Sequence, residues 1–259
     1  MADDVILVEV TDRVATVTLN RPEARNALSP DLLDALPDAI ASCDGRDDVD
    51  VIVLTGADPA FCAGIDLKHL GTNGLDADSM TSGRFGGEPF PMATKPIIGA
   101  INGATVTGGL ELALACDFLI ASERARFADT HARVGVMPGW GLTVRLAEAV
   151  GQRRAREMST TGNFVDAETA LAWGLVNHVV PHAELLPSAW KLANDIVSND
   201  RLGVGNILET YQQQVDLTSN DARVLELRRS REWLKAGGGS AEEVERRRAG
   251  ILERGRAQQ

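Results

Sequence analysis

The sequence has few cysteines, fewer basic than acidic residues, and no motif of the common metal or nucleophile sites. Its 259 residues include three cysteines, 26 Lys plus Arg and 37 Asp plus Glu, which gives a net charge of −11. The cysteines are far apart and form no CxxC pair, so neither a disulfide framework nor a zinc site is indicated. The acidic balance argues against a protein that wraps nucleic acid, because neutralising phosphates requires a basic face.

Long apolar runs are also absent. No segment approaches the roughly 18 residues that a membrane-spanning helix requires, and the start MADDVILVEV is acidic where a signal peptide would be basic. There is no GxSxG elbow to supply a hydrolase nucleophile and no HExxH pair to hold a metal. We therefore expect a cytoplasmic protein with no metal ion, no nucleic-acid partner and no membrane partner.

The apolar residues that are present suffice for a large α/β core. They make up 44% of the chain, and strand patterns alternate with helix patterns along it. In residues 13–20, Ala15, Val17 and Leu19 alternate with Thr16 and Thr18, which predicts a half-buried strand. Ser29 followed by Pro30 predicts the start of a helix. Beyond Pro181 the pattern predicts helices only.

Two segments differ in composition from the rest of the chain. Residues 71–93 contain five glycines and show little periodicity, so we expect a mobile segment that borders a site. Residues 221–259 carry 10 basic and 7 acidic residues, a net charge of +3 in an otherwise acidic chain. This difference marks the C-terminal tail as a distinct unit.

Residues 102–111, NGATVTGGLE, are the first candidate for a site. The spacing of Gly103 and Gly108 imitates a phosphate-binding loop, but the Lys-Ser/Thr pair that would follow is missing, so support for nucleotide binding is weak. Glycines at the start of a helix still let a ligand approach closely, and free N–H groups there can bind an oxyanion. Glu111 either compensates the helix dipole or transfers protons, and its apolar neighbours favour proton transfer.

The stretch IIGAINGATVTGGLELALACDFLIASERARF resembles the signature of the enoyl-CoA hydratase/isomerase (crotonase) superfamily. Further segments resemble the family in the same order along the chain: TLNRPEARNALS, VIVLTGADPAFCAGIDL, VGVMPGWGLTVRLAEAVG, TGNFVDAETALAWGLVNHVVP and ERRRAGILERGR. The resemblance covers nearly the whole chain, and several ordered segments of this kind are highly specific.

The resemblance implies a fold and a substrate class. The fold would be an α/β spiral of ββα turns over residues 1–195, which holds an acyl-CoA site. Residues 196–259 would form a helical region that drives trimer assembly, often as a dimer of trimers, and helps to close the site. Coenzyme A would be part of the acyl thioester substrate, so we expect no separate cofactor. The backbone N–H groups of Ile65 and Gly108 would bind the thioester oxygen.

The resemblance also places a first catalytic carboxylate at Glu111. The two-glutamate hydratases of the family have a second one twenty residues later, and here that position is His131. A neutral imidazole can orient and deprotonate water, so we expect Glu111 and His131 to be catalytic. Asp129 is another candidate for the second group, and a loop histidine that only forms hydrogen bonds is the alternative to a catalytic His131.

The expected contacts to the acyl-CoA come from four short segments of the chain. They are Ala24, Arg25, Ala63, Gly64, Asp66, Leu67, Thr130 and Val134. The family often has a basic residue at the position of Glu23, and Arg25 would compensate for its absence. Lys68 and the tail residues Arg246, Arg247 and Arg248 are weaker candidates, because arginine on a helix usually lies on a solvated face.

The expected activity is the reversible addition of water to a 2-enoyl-CoA through an enolate that the two N–H groups stabilise. One alternative is an acyl-CoA-binding homologue without hydratase turnover. Another is a different enolate reaction, such as isomerisation or dehydration of a specialised acyl group. Simple isomerisation fits less well, because family isomerases with one glutamate typically keep it at the second position.

Overall fold

The computed structural model describes residues 4–74 and 87–257. Most of the glycine-rich segment 71–93, for which mobility is expected, lies outside the described residues. The chain forms two compact units, of which the first ends at Ser198 and the second begins at Asn199. None of the helices in the described part of the chain has the length and apolar character that a membrane crossing requires.

The first unit contains two sheets. The strands are β1 (Ile6–Thr11), β2 (Val14–Leu19), β3 (Val51–Gly56), β4 (Ala60–Cys62), β5 (Ile97–Ile101), β6 (Ala104–Val106), β7 (Phe118–Ser122), β8 (Arg126–Ala128), β9 (Val165–Asp166) and β10 (His178–Val180). The larger sheet has the order β1-β2-β3-β5-β7-β10, and the smaller one has the order β4-β6-β8-β9. Only β1 with β2 and β8 with β9 pair antiparallel; the other neighbours are parallel.

Helices connect the parallel strands, as crossover connections require. In the first unit they are α1 (Pro30–Gly45), α2 (Leu67–Asn73), α3 (Gly108–Leu114), α4 (His131–Val134), α5 (Leu142–Val150), α6 (Gln152–Thr161), α7 (Ala167–Trp173) and α8 (Leu185–Val197). Short 3-10 turns cover Pro22–Ala24 and His182–Glu184. The predicted start of α1 is confirmed, because the Ser29 hydroxyl accepts a hydrogen bond from the N–H of Leu32 and Pro30 is the first helical residue.

The prediction of a half-buried strand at residues 13–20 is wrong. Strand β2 is buried along nearly its whole length, because β1 and β3 pair with its two edges and helix α8 packs against it. The indole N–H of Trp190 in α8 donates to the Thr16 hydroxyl over 3.0 Å. This hydrogen bond satisfies the polar side chain that the alternation assigns to solvent.

The second unit is helical, and with α8 it confirms that helices dominate beyond Pro181. It consists of α9 (Arg201–Gln214), α10 (Ser219–Lys235) and α11 (Ala241–Ala257). Few of its side chains are buried within the unit; Leu225 is one of them. Large apolar side chains are exposed on all three helices, including Ile207, Tyr211, Val224, Leu234 and Ile251.

Candidate active site

The candidate site lies where three parallel strands of the smaller sheet end. Strands β4, β6 and β8 are neighbours in that order, so their carboxyl ends meet at one edge, which is where ligands bind in open α/β sheets. The chain after β4 carries Ile65, the chain after β6 carries Gly108 and Glu111, and the chain after β8 carries His131. The sheet order therefore brings together residues that are up to 66 positions apart.

Glycine is required where these strand ends approach each other. Gly64 has φ of +84°, and a Cβ atom there would lie 2.6 Å from the carbonyl oxygen of Val106 and 3.1 Å from Cβ of Thr107. No L-residue side chain fits this combination of φ and contact without strain. The close approach brings the segment that carries Ile65, the next residue, near Val106 and Thr107, which directly precede α3.

Two main-chain donors at this junction have no acceptor among the residues that the structure describes. In residues 4–74 and 87–257 neither the N–H of Ile65 nor that of Gly108 donates a hydrogen bond to the chain. Neighbouring main-chain groups do bond: the N–H of Leu28 donates to the oxygen of Gly64 over 2.7 Å, and the N–H of Asp66 donates to the oxygen of Leu28 over 3.2 Å. These bonds fix the segment that carries the Ile65 donor.

Glu111 is buried and held by main-chain donors. Its side chain is in the first turn of α3, and the residue is only 3% exposed. One carboxylate oxygen accepts from the N–H of Trp140 over 2.8 Å and from the N–H of Gly139 over 3.2 Å. The sequence does not predict these two donors, which lie 28 and 29 residues away. A main-chain donor leaves no signal in residue type, so only the fold reveals it.

His131 connects Glu111 to a second buried carboxylate. It begins helix α4, with Nε2 lying 3.5 Å from Oε2 of Glu111. Its Nδ1 lies 2.6 Å from Oδ1 of Asp129, which also accepts from the main-chain N–H of His131 over 3.1 Å. The Ser159 hydroxyl on α6 bonds to Asp129 as well. Asp129 is thus behind His131, with the imidazole between it and Glu111, and the structure brings Glu111, His131 and Asp129 into one buried row.

The contacts within this row raise the pKa of His131 and lower the pKa of Asp129. Burial alone would lower the pKa of His131, but its contacts with Asp129 and Glu111 outweigh burial and raise that pKa to about 9. Burial alone would raise the pKa of Asp129, and the hydrogen bonds from His131 and Ser159 lower it below its usual range. The raised pKa favours the imidazolium form of His131 at neutral pH, whereas the sequence predicts a neutral imidazole.

The raised pKa of His131 makes the stability of the protein depend on pH. In the folded protein the pKa is about 9 against 6.5 unperturbed, a difference that corresponds to about 3 kcal/mol. This stabilisation is fully present below about pH 6.5 and is lost as the pH rises through about 9. We expect Asp129→Asn to lower the free energy of unfolding in denaturant titrations more at neutral pH than above pH 9.

His182→Asn is a suitable control for that titration, because His182 contacts Ser122 and Asp58 rather than the buried row. His182→Asn should not show a loss of unfolding free energy that is larger at neutral pH than above pH 9. An effect of Asp129→Asn that stays constant from neutral pH to above pH 9 would contradict the assigned protonation of His131.

The other predicted site residues differ in their exposure and in their bonding partners. Arg25 is exposed, and its carbonyl oxygen accepts from the N–H of Ala63, so Ala24 and Ala63 belong to adjoining segments. Asp66 caps α2 and pairs with Arg21, 3.2 Å away. Leu67 and Lys68, which follow Asp66, are exposed.

The remaining predicted residues lie on α4 or in the second unit. Thr130 directly precedes α4, and Val134 is its last residue. Arg246, Arg247 and Arg248 form ion pairs with acidic residues of the second unit. No group of three or more His, Cys, Asp or Glu side chains that could hold a metal ion occurs among residues 4–74 and 87–257.

Comparison with known proteins places the chain in a family. The family described as "Enoyl-CoA hydratase/isomerase" matches residues 9–243. The chain belongs to the enoyl-CoA hydratase/isomerase family. Among its relatives, the Arabidopsis thaliana protein named "Probable enoyl-CoA hydratase 1, peroxisomal" is 38% identical over 223 residues, which cover 84% of this chain and 82% of that protein.

Solved structures of the enoyl-CoA hydratase/isomerase family confirm the fold that the sequence resemblance implies. A crystal structure of enoyl-CoA hydratase from Mycobacterium tuberculosis H37Rv is 48% identical, covers 88% of this chain and 98% of its own, and gives a TM-score of 0.76. One from Bacillus anthracis is 31% identical, covers 96% of both chains and gives 0.85. The α/β chain with its parallel sheets and helical C-terminal region has the crotonase fold.

Proposed function

We propose that the protein is an enoyl-CoA hydratase that adds water reversibly to the double bond of a 2-enoyl-CoA thioester. The observation that carries the proposal is the buried row of Glu111, His131 and Asp129 beside two main-chain N–H groups that lack an acceptor in the described chain. The family of the chain supports it, as do the relatives that are named enoyl-CoA hydratases.

The N–H groups of Ile65 and Gly108 form the oxyanion hole. Adding water across the conjugated double bond moves electrons onto the thioester oxygen, which becomes an enolate oxygen. Two fixed donors stabilise that charge without reorganisation, and one such donor typically contributes about 3 kcal/mol to the lowering of the barrier. Because main-chain groups donate, the isoleucine side chain at position 65 is compatible with this role.

Glu111 and His131 divide the proton transfers between them. The Glu111 carboxylate accepts a proton from water, and the water oxygen bonds to the β-carbon as the π electrons shift toward the thioester oxygen. The protonated Nε2 of His131 gives its proton to the α-carbon as the enolate collapses. His131 therefore acts as a general acid in hydration, and Asp129 holds its Nδ1–H so that Nε2 faces the reacting carbons.

Glu111 and His131 return to their starting protonation states after each turnover. At the end of hydration Glu111 holds the proton from water and His131 is neutral. Because Nε2 and Oε2 lie 3.5 Å apart, the carboxylic acid can return the proton to the imidazole. No cofactor is needed in this scheme, since the proton taken from water replaces the one given to the α-carbon.

The acyl-CoA is held by segments that border the junction. We assign contacts to Ala24, Arg25, Ala63, Gly64, Asp66, Leu67, Thr130 and Val134, with the exposed Arg25 available to the anionic nucleotide.

The second unit, beginning at Asn199 rather than at residue 196, serves assembly into a homotrimer or a dimer of trimers and helps to close the site. Its exposed apolar side chains support an assembly role. The location is cytoplasmic.

The test is an assay with a panel of acyl-CoA thioesters. Hydration removes the conjugated absorbance of a short 2-enoyl-CoA, and mass analysis of the product should show the addition of one water. Saturable binding with no conversion of any 2-enoyl-CoA would favour a binding protein without turnover. A product of unchanged mass would indicate isomerisation instead. Either result would overturn the proposed hydratase activity.

A further inference from the structure

Thr107, the residue before the Gly108 donor, has an unfavourable backbone conformation. Its φ is +55° and its ψ is −115°, although positive φ is costly for a β-branched residue. Its main-chain N–H donates to the oxygen of Ala128 over 2.9 Å. A conformation of this kind persists only where the surrounding structure enforces it, and such residues are concentrated at functional sites.

The Thr107 hydroxyl does not have the partner that its position favours. Thr107 is at the N-cap of α3, where a threonine hydroxyl usually accepts from an N–H of the first helical turn. Here the side chain makes no capping bond. Its Oγ1 lies 2.5 Å from Oγ1 of Thr130, so the two hydroxyls share a hydrogen bond.

We propose that this Thr107–Thr130 hydroxyl pair is a positioning device, which fixes the Gly108 N–H and the His131 imidazole at the spacing that the thioester needs. Thr107 directly precedes Gly108, and Thr130 directly precedes His131. The pair connects the turn before α3 to the turn before α4. The inference rests on the proposed function and assigns no substrate contact to either hydroxyl; the acyl-CoA contact assigned to Thr130 above is through its main chain and methyl group, which valine keeps.

The spacing matters because both groups must reach one small acyl unit. The Gly108 N–H addresses the thioester oxygen, while His131 addresses the adjacent α-carbon, so a relative shift of the two turns moves one group out of reach. A misplacement of about 1 Å can cost on the order of a hundredfold in rate. The main-chain bond from Thr107 to Ala128 and the contact between Glu111 and His131 already connect the two segments. The hydroxyl pair adds a constraint between the two residues that directly precede Gly108 and His131.

The kinetic test compares Thr107→Val and Thr130→Val with the double variant. Valine keeps the β-branched shape but removes the hydroxyl. Each single variant should lower kcat for hydration by about tenfold to a hundredfold, with KM changed little, and the double variant should lose no more than a single one because both remove the same bond. Thr107→Ser and Thr130→Ser should recover most of the rate.

A matched control is Thr55→Val, which removes a buried hydroxyl that bonds to the oxygen of Ala100 in the larger sheet. It should lower the melting temperature but leave kcat unchanged. Wild-type kcat in both hydroxyl-pair valine variants would overturn the proposal, and so would a rise in KM alone, which would indicate a substrate contact. Should Thr107→Val not fold, Thr130→Val and the serine variants decide the question by the same criteria.

A spectroscopic measurement separates this inference from the hydratase activity. The carbonyl stretch of a bound saturated acyl-CoA, such as butyryl-CoA, should shift to lower frequency in the wild type as the two N–H groups polarise the carbonyl. Thr107→Val should reduce that shift, which requires no turnover. A full shift in the variant would overturn the positioning role while leaving the hydratase proposal intact. A wild type that neither shifts the carbonyl stretch nor hydrates an enoyl-CoA would overturn the hydratase proposal itself.

Discussion

Glu111→Gln is expected to lower kcat for hydration of a short 2-enoyl-CoA by about a hundredfold to ten-thousandfold. The amide keeps an oxygen that can accept from the N–H groups of Gly139 and Trp140, so the fold should persist. It cannot accept the proton from water, however, and its NH2 group would face His131. The measurement is the initial rate of loss of enoyl absorbance, together with KM.

Asp117→Asn provides a matched control for the Glu111 variant. Asp117 is also a carboxylate that accepts from a main-chain N–H, here that of Ile97 over 2.7 Å, but it is not part of the buried row. The Asp117→Asn variant should retain the wild-type kcat. A wild-type rate in Glu111→Gln would remove Glu111 from the proton-transfer steps and leave the site without a base for water.

The second large effect is expected at His131. In the wild type, kcat/KM for hydration should fall as the pH rises through about 9, because the imidazolium that donates to the α-carbon is lost. His131→Gln should lower kcat by about a hundredfold or more and remove this limb of the profile. The measurement is kcat/KM from neutral pH to above pH 9 for both proteins.

The pH profile distinguishes the two roles that an imidazole can have. If neutral His131 were the base for water, kcat/KM would increase through the same pH range, and the assignment of His131 as the general acid would be wrong. His182→Gln serves as a control, because His182 contacts Ser122 and Asp58 outside the row. Its profile should keep the limb near pH 9.

Local sequence signals predicted much of the chain. The Ser29–Pro30 start of α1, the helix that begins at the glycines of residues 102–111 and the helical C-terminal part all follow from capping residues, glycines and apolar spacing, which act over a few neighbours. The family motifs also pointed to Glu111 and His131 as one site. Burial was predicted less well, and β2 is the clearest case, because partners on both edges and α8 on a face come from distant parts of the chain.

The sequence by itself determined the elements, the family and the residue types of the site, since capping, periodicity and ordered motifs are local properties. Only the tertiary structure decided how those residues are arranged. It placed Asp129 behind His131, supplied two main-chain donors for Glu111 and joined Thr107 to Thr130. Protonation states and distances depend on atoms contributed by separate strand ends. Those ends meet because β4, β6 and β8 pair in parallel, and no local pattern specifies the resulting geometry.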